Sequence, residues 1–168
     1  MPHALNTLVT ALVHSRLDYC NVVFAGLPAC DIQRLQAVLN AGCLVADSSR
    51  REHVTSVLRD RHWLPVKQRV EYKLCMMVHR CLYRTADAPS YLADLITPSA
   101  AATVRPGLRS AASSTVAVPR TTSSLGDRSF AAAGLRAWNK LPPPLRRVYS
   151  AATFKRQLKT FLYNHAFN

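Results

Sequence analysis

The sequence predicts a mostly α protein: a helical bundle, then an extended arm, then a small C-terminal helical segment. Apolar residues recur three and four apart in several stretches, which is the spacing of one helix face. Proline and glycine fall at the ends of these stretches, where helices start and stop. Between residues 97 and 125 the period vanishes, and Ser, Thr, Ala, Pro and Arg dominate.

The elements follow in order. Leu5, Leu8, Val9, Leu12 and Val13 predict a first helix of about three turns. Gly26-Leu27-Pro28 is a stop signal, after which Asp31 is placed to cap a helix with the stripe Ile32, Leu35, Val38 and Leu39. Gly42 weakens the end of that helix, and residues 47–52 read as a polar loop. Thr55 is expected to cap a short helix carrying Val57 and Leu58. Pro65 then suits the opening of a long helix with Val66, Val70, Leu74, Met77, Val78, Cys81 and Leu82 on one face. Pro89 starts a short helix through Tyr91, Leu92 and Leu95. In the arm, only Thr115–Val118 has strand character, and Pro119 ends it. Phe130, Leu135 and Trp138 predict a helix face over Asp127–Trp138, broken by Leu141-Pro142-Pro143-Pro144. Ser150 caps a last helix, with Phe154, Leu158, Phe161 and Leu162 opposite Lys155, Arg156 and Lys159. The expected organisation is a helical region over 1–96, a basic linker over 97–125 and a basic helical segment over 126–168.

At 168 residues with 49% hydrophobic residues, the chain has the material for one ordinary domain and is too apolar to be wholly disordered. Its charge is +13, from 22 Lys and Arg against 9 Asp and Glu. The excess is uneven. Residues 1–99 hold 11 basic and 8 acidic residues, a net of +3, whereas residues 100–168 hold 11 basic residues and one acid, Asp127, a net of +10. Such asymmetry points to nucleic acid, where neutralising phosphates releases condensed counterions, or else to a membrane surface. Five cysteines with no CxxC pair argue against a disulfide scaffold and for a reducing compartment. Asn6, Thr7 and Thr10 interrupt the apolar stretch Ala4–Val13, so it reads as an amphipathic helix and not as a signal peptide or membrane span. An intracellular location, nuclear or cytoplasmic, is expected, with neither a membrane nor a small-molecule substrate as partner.

Several phrases stand in a fixed order: Ser15-Arg16-Leu17-Asp18-Tyr19-Cys20-Asn21, Gly26-Leu27-Pro28 and Ile32-Gln33-Arg34-Leu35-Gln36; then His62-Trp63-Leu64-Pro65-Val66-Lys67-Gln68-Arg69 and Ala88-Pro89-Ser90-Tyr91-Leu92; then Val118-Pro119-Arg120-Thr121, Gly126-Asp127-Arg128-Ser129-Phe130, Trp138-Asn139-Lys140-Leu141-Pro142 and Phe154-Lys155. Together they resemble the C-terminal region of the reverse transcriptase polyprotein of LINE-type (non-LTR) retrotransposons, Jockey-like and related, across nearly the whole chain. The resemblance implies an RNA-directed DNA polymerase whose metal-binding palm lies upstream of this segment. Residues 1–96 would correspond to its helical thumb, which packs against the template–primer duplex. RNA or an RNA–DNA duplex, and the palm and fingers of the same polyprotein, are the implied partners. One departure stands out: Ala41-Gly42-Cys43-Leu44 occupies the place of a common Ala-Ala-Arg-Leu, so a basic residue is missing from that helix.

No catalytic residue is expected in this segment. Polymerase or nuclease chemistry needs paired carboxylates around two metal ions, and the nine acids here are scattered with no aromatic-x-Asp-Asp turn. Asp127 is read as a helix cap or a partner of Arg128. Cys75 and His79, four apart on the long helix, lack two further ligands at zinc spacing, and core thiols with a satisfied histidine are the expected reading. No metal and no cofactor are expected, and the five glycines form no phosphate loop. Basic residues remain. Lys67, Arg69 and Lys73 lie on the polar side of the long helix, either tracking a duplex in a thumb or simply solvated. Arg105, Arg109 and Arg120 lie in the arm, where guanidinium groups fork onto phosphates. Arg128, Arg136, Arg146, Arg147, Lys155, Arg156 and Lys159 follow with one opposing acid, and phosphate contact is expected of them. Trp63, Trp138, Phe154 and Phe161 are expected to build core rather than stack on bases. Two other readings stay open: a protein-interaction or structural module using the faces Leu5–Val13 and Ile32–Leu39, and a translated transposon remnant with no function.

Overall fold

Helical periodicity in the sequence becomes helix in the computed structural model, which describes residues 2–46, 53–85, 88–97 and 114–168. The expected loop at 47–52 and residues 98–113 of the expected arm lie outside the described residues. The fold is mostly α. Its elements are α1 (Pro2–Val9), a π-helical turn (Thr10–His14), α2 (Ser15–Asp18), a 3-10 turn (Asn21–Phe24) and α3 (Ala29–Ala46). Next come α4 (Val54–Asp60), α5 (Val66–Leu82) and α6 (Ser90–Ala93). After the arm follow α7 (Ser124–Arg128), a second π-helical turn (Phe130–Gly134), α8 (Leu135–Asn139), α9 (Pro143–Arg146) and α10 (Ala151–Phe167). None of the described helices is long and apolar enough to cross a membrane.

Packing divides the chain into two compact units: Met1–Val70 with Phe161–Asn168, and Glu71–Thr160. These boundaries differ from the composition boundaries at 96 and 126. Composition changes in a linker, whereas α5 and α10 are each continuous helices whose two ends belong to different units.

In the first unit, Leu17, Leu39, Cys43, Val57, Leu58 and Val66 form the core, with Val13, Leu35, Trp63 and Phe167 against it. The first helical stretch does not bury its whole predicted stripe. Val9, His14 and Leu17 are buried, while Leu8 and Leu12 are exposed. The π-helical turn inserts an extra residue between these positions, which rotates the following turn and brings His14 and Leu17 inward. Gly42 has a different role from a weakened helix end. A Cβ there would lie 3.2 Å from a methyl of Val9 and 3.4 Å from one of Val13, so its bareness permits α3 to approach the first helical stretch. Two helix starts also use partners other than those expected. The His53 ring accepts from the Thr55 amide and caps α4, and Gln36 Oε1 accepts from the Val66 amide (2.9 Å) at the start of α5. His62, at φ 52°, ends α4: its amide bonds to the Arg59 carbonyl and the Trp63 amide to that of Leu58, the Schellman pattern in a non-glycine residue. Arg84 ends α5 in the same way.

In the second unit, Phe154 stacks on His79 (4.2 Å, 14°) and packs on Trp138 (5.6 Å), and Leu135, Leu158 and Val78 are also buried. Trp138 and Phe154 are core, as read from the sequence. Trp138 and Asn139 also hold the end of the arm. The Trp138 indole donates to the Ser114 carbonyl, and Asn139 both donates to the Val116 carbonyl (2.8 Å) and accepts from its amide (3.0 Å). Among the described residues, Val116 alone has bridge character, in place of a strand over Thr115–Val118. The predicted helix over Asp127–Trp138 is broken at Ser129, an extended residue between α7 and the π-helical turn.

Trp138→Ala should cost about 3–5 kcal/mol of stability through the cavity and the lost indole hydrogen bond. Urea denaturation of the full chain measures it. A loss under about 1 kcal/mol would show that the indole does not organise this core.

Candidate nucleic-acid interface

Cations on the first unit divide sharply between solvent and structure. Lys67, on the first turn of α5, is exposed. Arg69 is not: its side chain is 13% exposed, its Nη1 bonds to the Asp18 carboxylate at 2.7 Å, its Nε donates to the Leu64 carbonyl, and its Nη2 donates to His14 Nδ1 at 2.9 Å. The expectation of a duplex-facing Arg69 is therefore corrected to a tie between α5, α2 and the π-helical turn. Because arginine can only donate, His14 accepts here as a neutral imidazole. Burial, and then the neighbouring Arg69 charge, bring the His14 pKa down from 6.5 to about 4, against a smaller opposing effect of Asp18. The Trp63 ring lies edge-on to it at 4.2 Å. Nothing in the periodicity marks His14 as a buried group. Its spacing of five from buried Val9 and three from buried Leu17 is the available signal, and it becomes readable only with the π-helical turn in place.

On the second unit, Lys73 is exposed on α5. Arg120 is exposed in the extended segment before α7, and Arg109, like Arg105, lies outside the described residues. Asp127 caps nothing. Ser123 is the α7 cap, accepting from the Gly126 amide. Asp127 instead binds Arg136 across nine residues and accepts from the Thr121 hydroxyl. The Thr121 hydrogen bond and then Arg136 hold its carboxyl below the usual carboxylate range. Arg136 thus has a partner, and Arg128 is half-buried.

Arg146 departs furthest from expectation. Its residue is 5% exposed, and its Nε and Nη1 atoms are buried with no hydrogen-bond partner among the described residues. Burial, then the adjacent Arg147 charge, lowers its pKa. The Arg147 residue itself is exposed. On α10 the sequence pattern holds: Phe154, Leu158 and Leu162 are buried, Phe161 half-buried, and Lys155, Arg156 and Lys159 exposed. Ser150 caps this helix, accepting from the Thr153 amide at 3.4 Å. Lys155, Arg156 and Lys159 share one side because positions three and four apart are neighbours on a helix.

His79 donates from Nε2 to the Val148 carbonyl (2.8 Å) and stacks on Phe154, and burial lowers its pKa. The Cys75 thiol is buried, and its pKa is raised by burial first and by Glu71 second. Among the described residues, no three His, Cys, Asp or Glu side chains group to hold a metal ion. No protein-family model, curated protein or solved structure matches the chain.

The His14 shift fixes a pH dependence. With a pKa near 6.5 unfolded and about 4 folded, the unfolded chain holds more protons between those values. Stability therefore falls as the pH drops through that window. His14→Gln should flatten the fall, His79 supplying the remainder, as read from urea midpoints at several pH values. An equally steep fall in the variant would show that His14 titrates normally.

Proposed function

We propose that this chain is a region of a retrotransposon RNA-directed DNA polymerase lying downstream of the catalytic palm. In this reading it grips the nucleic-acid backbone of RNA or an RNA–DNA duplex without performing catalysis. The observation that carries the reading is the cationic face of α10, where Lys155, Arg156 and Lys159 are exposed opposite a buried apolar face. No acid occurs anywhere from residue 128 to residue 168. An uncompensated cationic face on a rigid helix suits sequence-independent phosphate contact. Lys67, Lys73 and Arg120 are exposed cations with the same capacity, and Arg147 is exposed as well. The ordered phrases from Ser15 to Lys155 support the polymerase origin, and an intracellular compartment, nuclear or cytoplasmic, follows from it.

Affinity for an RNA–DNA duplex, measured by fluorescence anisotropy between low and physiological salt, tests the reading. Binding should weaken steeply with salt. The triple variant K155E/R156E/K159E should reduce the slope of log affinity against log salt by about three if each side chain meets one phosphate. A wild-type protein that binds no duplex at low salt removes the reading.

A second reading has its own observation. In the first unit, Leu8 and Leu12 on the first helical stretch, and Val38, Leu44 and Val45 on α3, are exposed apolar side chains. They suit a protein-interaction or structural module docking on another part of the same polyprotein. Light scattering of the triple variant separates the two. Self-association that persists while duplex binding is lost supports an interaction module. If the wild-type protein neither associates nor binds duplex, a transposon remnant without function is what remains.

A further inference from the structure

Tyr149 is a large aromatic residue left 73% exposed, in the linker between α9 and α10. It is held by its surroundings. Its ring meets Tyr83 edge to face at 5.0 Å and 71°, and the Tyr83 hydroxyl donates to the Arg146 carbonyl at 2.9 Å. The next carbonyl but one, that of Val148, accepts from His79 at 2.8 Å, and the Val148 amide bonds back to the Leu145 carbonyl. The backbone on the N-terminal side of Tyr149 is thus tied at three points, so presenting the ring to a ligand orders little that is not already ordered.

The charge beside it is unusual. Arg146 carries a buried guanidinium, and no carboxylate forms an ion pair with it among the described residues. A buried cation without a counter-ion costs stability, and an apolar side chain of similar size is often neutral or better there. An anion arriving from outside offsets that cost. Arg147, the next residue, is exposed.

We propose, building on the nucleic-acid reading above, that Tyr149 is a stacking platform for one unpaired base of a single-stranded nucleic acid. Arg146 and Arg147 supply the positive field that draws in the adjoining phosphates. Every base has a π face, so such a platform takes any sequence, and it favours a strand over a blunt duplex, whose bases are already stacked. The reading thereby extends from a backbone grip on α10 to a place for the end of a strand.

The test uses the full chain, a single-stranded RNA of about ten nucleotides carrying 2-aminopurine, and a blunt duplex of equal length. Tyr149→Ala should weaken single-strand binding about tenfold and abolish the aminopurine quenching, while Tyr149→Phe retains both. Duplex affinity should be unchanged in both variants. Arg146→Met should weaken single-strand binding without lowering the Tm of the free protein. Single-strand affinity and quenching unchanged in Tyr149→Ala overturn the platform and leave the α10 reading standing. Equal weakening of strand and duplex, or displacement of the RNA by polyglutamate of equal charge, also overturns it. Wild-type protein that binds neither probe overturns this proposal and the nucleic-acid reading together.

Discussion

Phe154 lies flat on the imidazole of His79 and against the indole of Trp138, and this packing decides which way the last helix faces. With Phe154, Leu158 and Leu162 turned inward, Lys155, Arg156 and Lys159 fall outside that face, within about 100° of arc of one another, since a helix advances about 100° per residue. His79 is held neutral in this stack. Its Nε2 proton is committed to the Val148 carbonyl, and Nδ1 is buried without a hydrogen-bond partner among the described residues, a position that penalises a second proton. One uncharged ring therefore sets the presentation of three charged side chains.

Net charge overstates the cations available to a ligand. Arg69 is engaged by Asp18, His14 and a carbonyl, and Arg136 by Asp127. The Arg69 tie positions helices and leaves little for a phosphate, whereas the Arg136–Asp127 pair stays half-exposed. Arg146 is enclosed, its Nε and Nη1 without a hydrogen-bond partner among the described residues. A formal charge of +13 thus divides into structural, enclosed and exposed groups, and the proposed binding draws on the exposed group together with Arg146 beside Tyr149.

Much of the fold was legible because burial follows a period. The apolar faces of α5 and α10, the Ser150 cap and the stop at Gly26-Leu27-Pro28 all appear where spacing places them. What could not be read depends on contacts distant in sequence or on irregular turns. The Gln36 cap reaches 30 residues to Val66, and Asn139 reaches 23 residues to Val116. The π-helical turn at Thr10–His14 moved the inward face from Leu12 to His14, which no regular period foretells. Within the candidate interface, side-chain type identified the cations but not their partners. Arg69 and Lys67 look alike in sequence, yet one is enclosed in hydrogen bonds and the other is in water.

Residues 161–168 return to the first unit, where the Tyr163 hydroxyl donates to the Arg59 carbonyl and the Arg59 guanidinium to the carbonyl of Phe167. These pairs lie 104 and 108 residues apart in the chain. During synthesis, α4 is made early and must wait for its partners while the whole of Glu71–Thr160 is translated. The second unit, continuous in the chain, is able to close first. The earlier-made unit is thus the later one to be finished, with its apolar surface waiting on residues 161–168 to emerge.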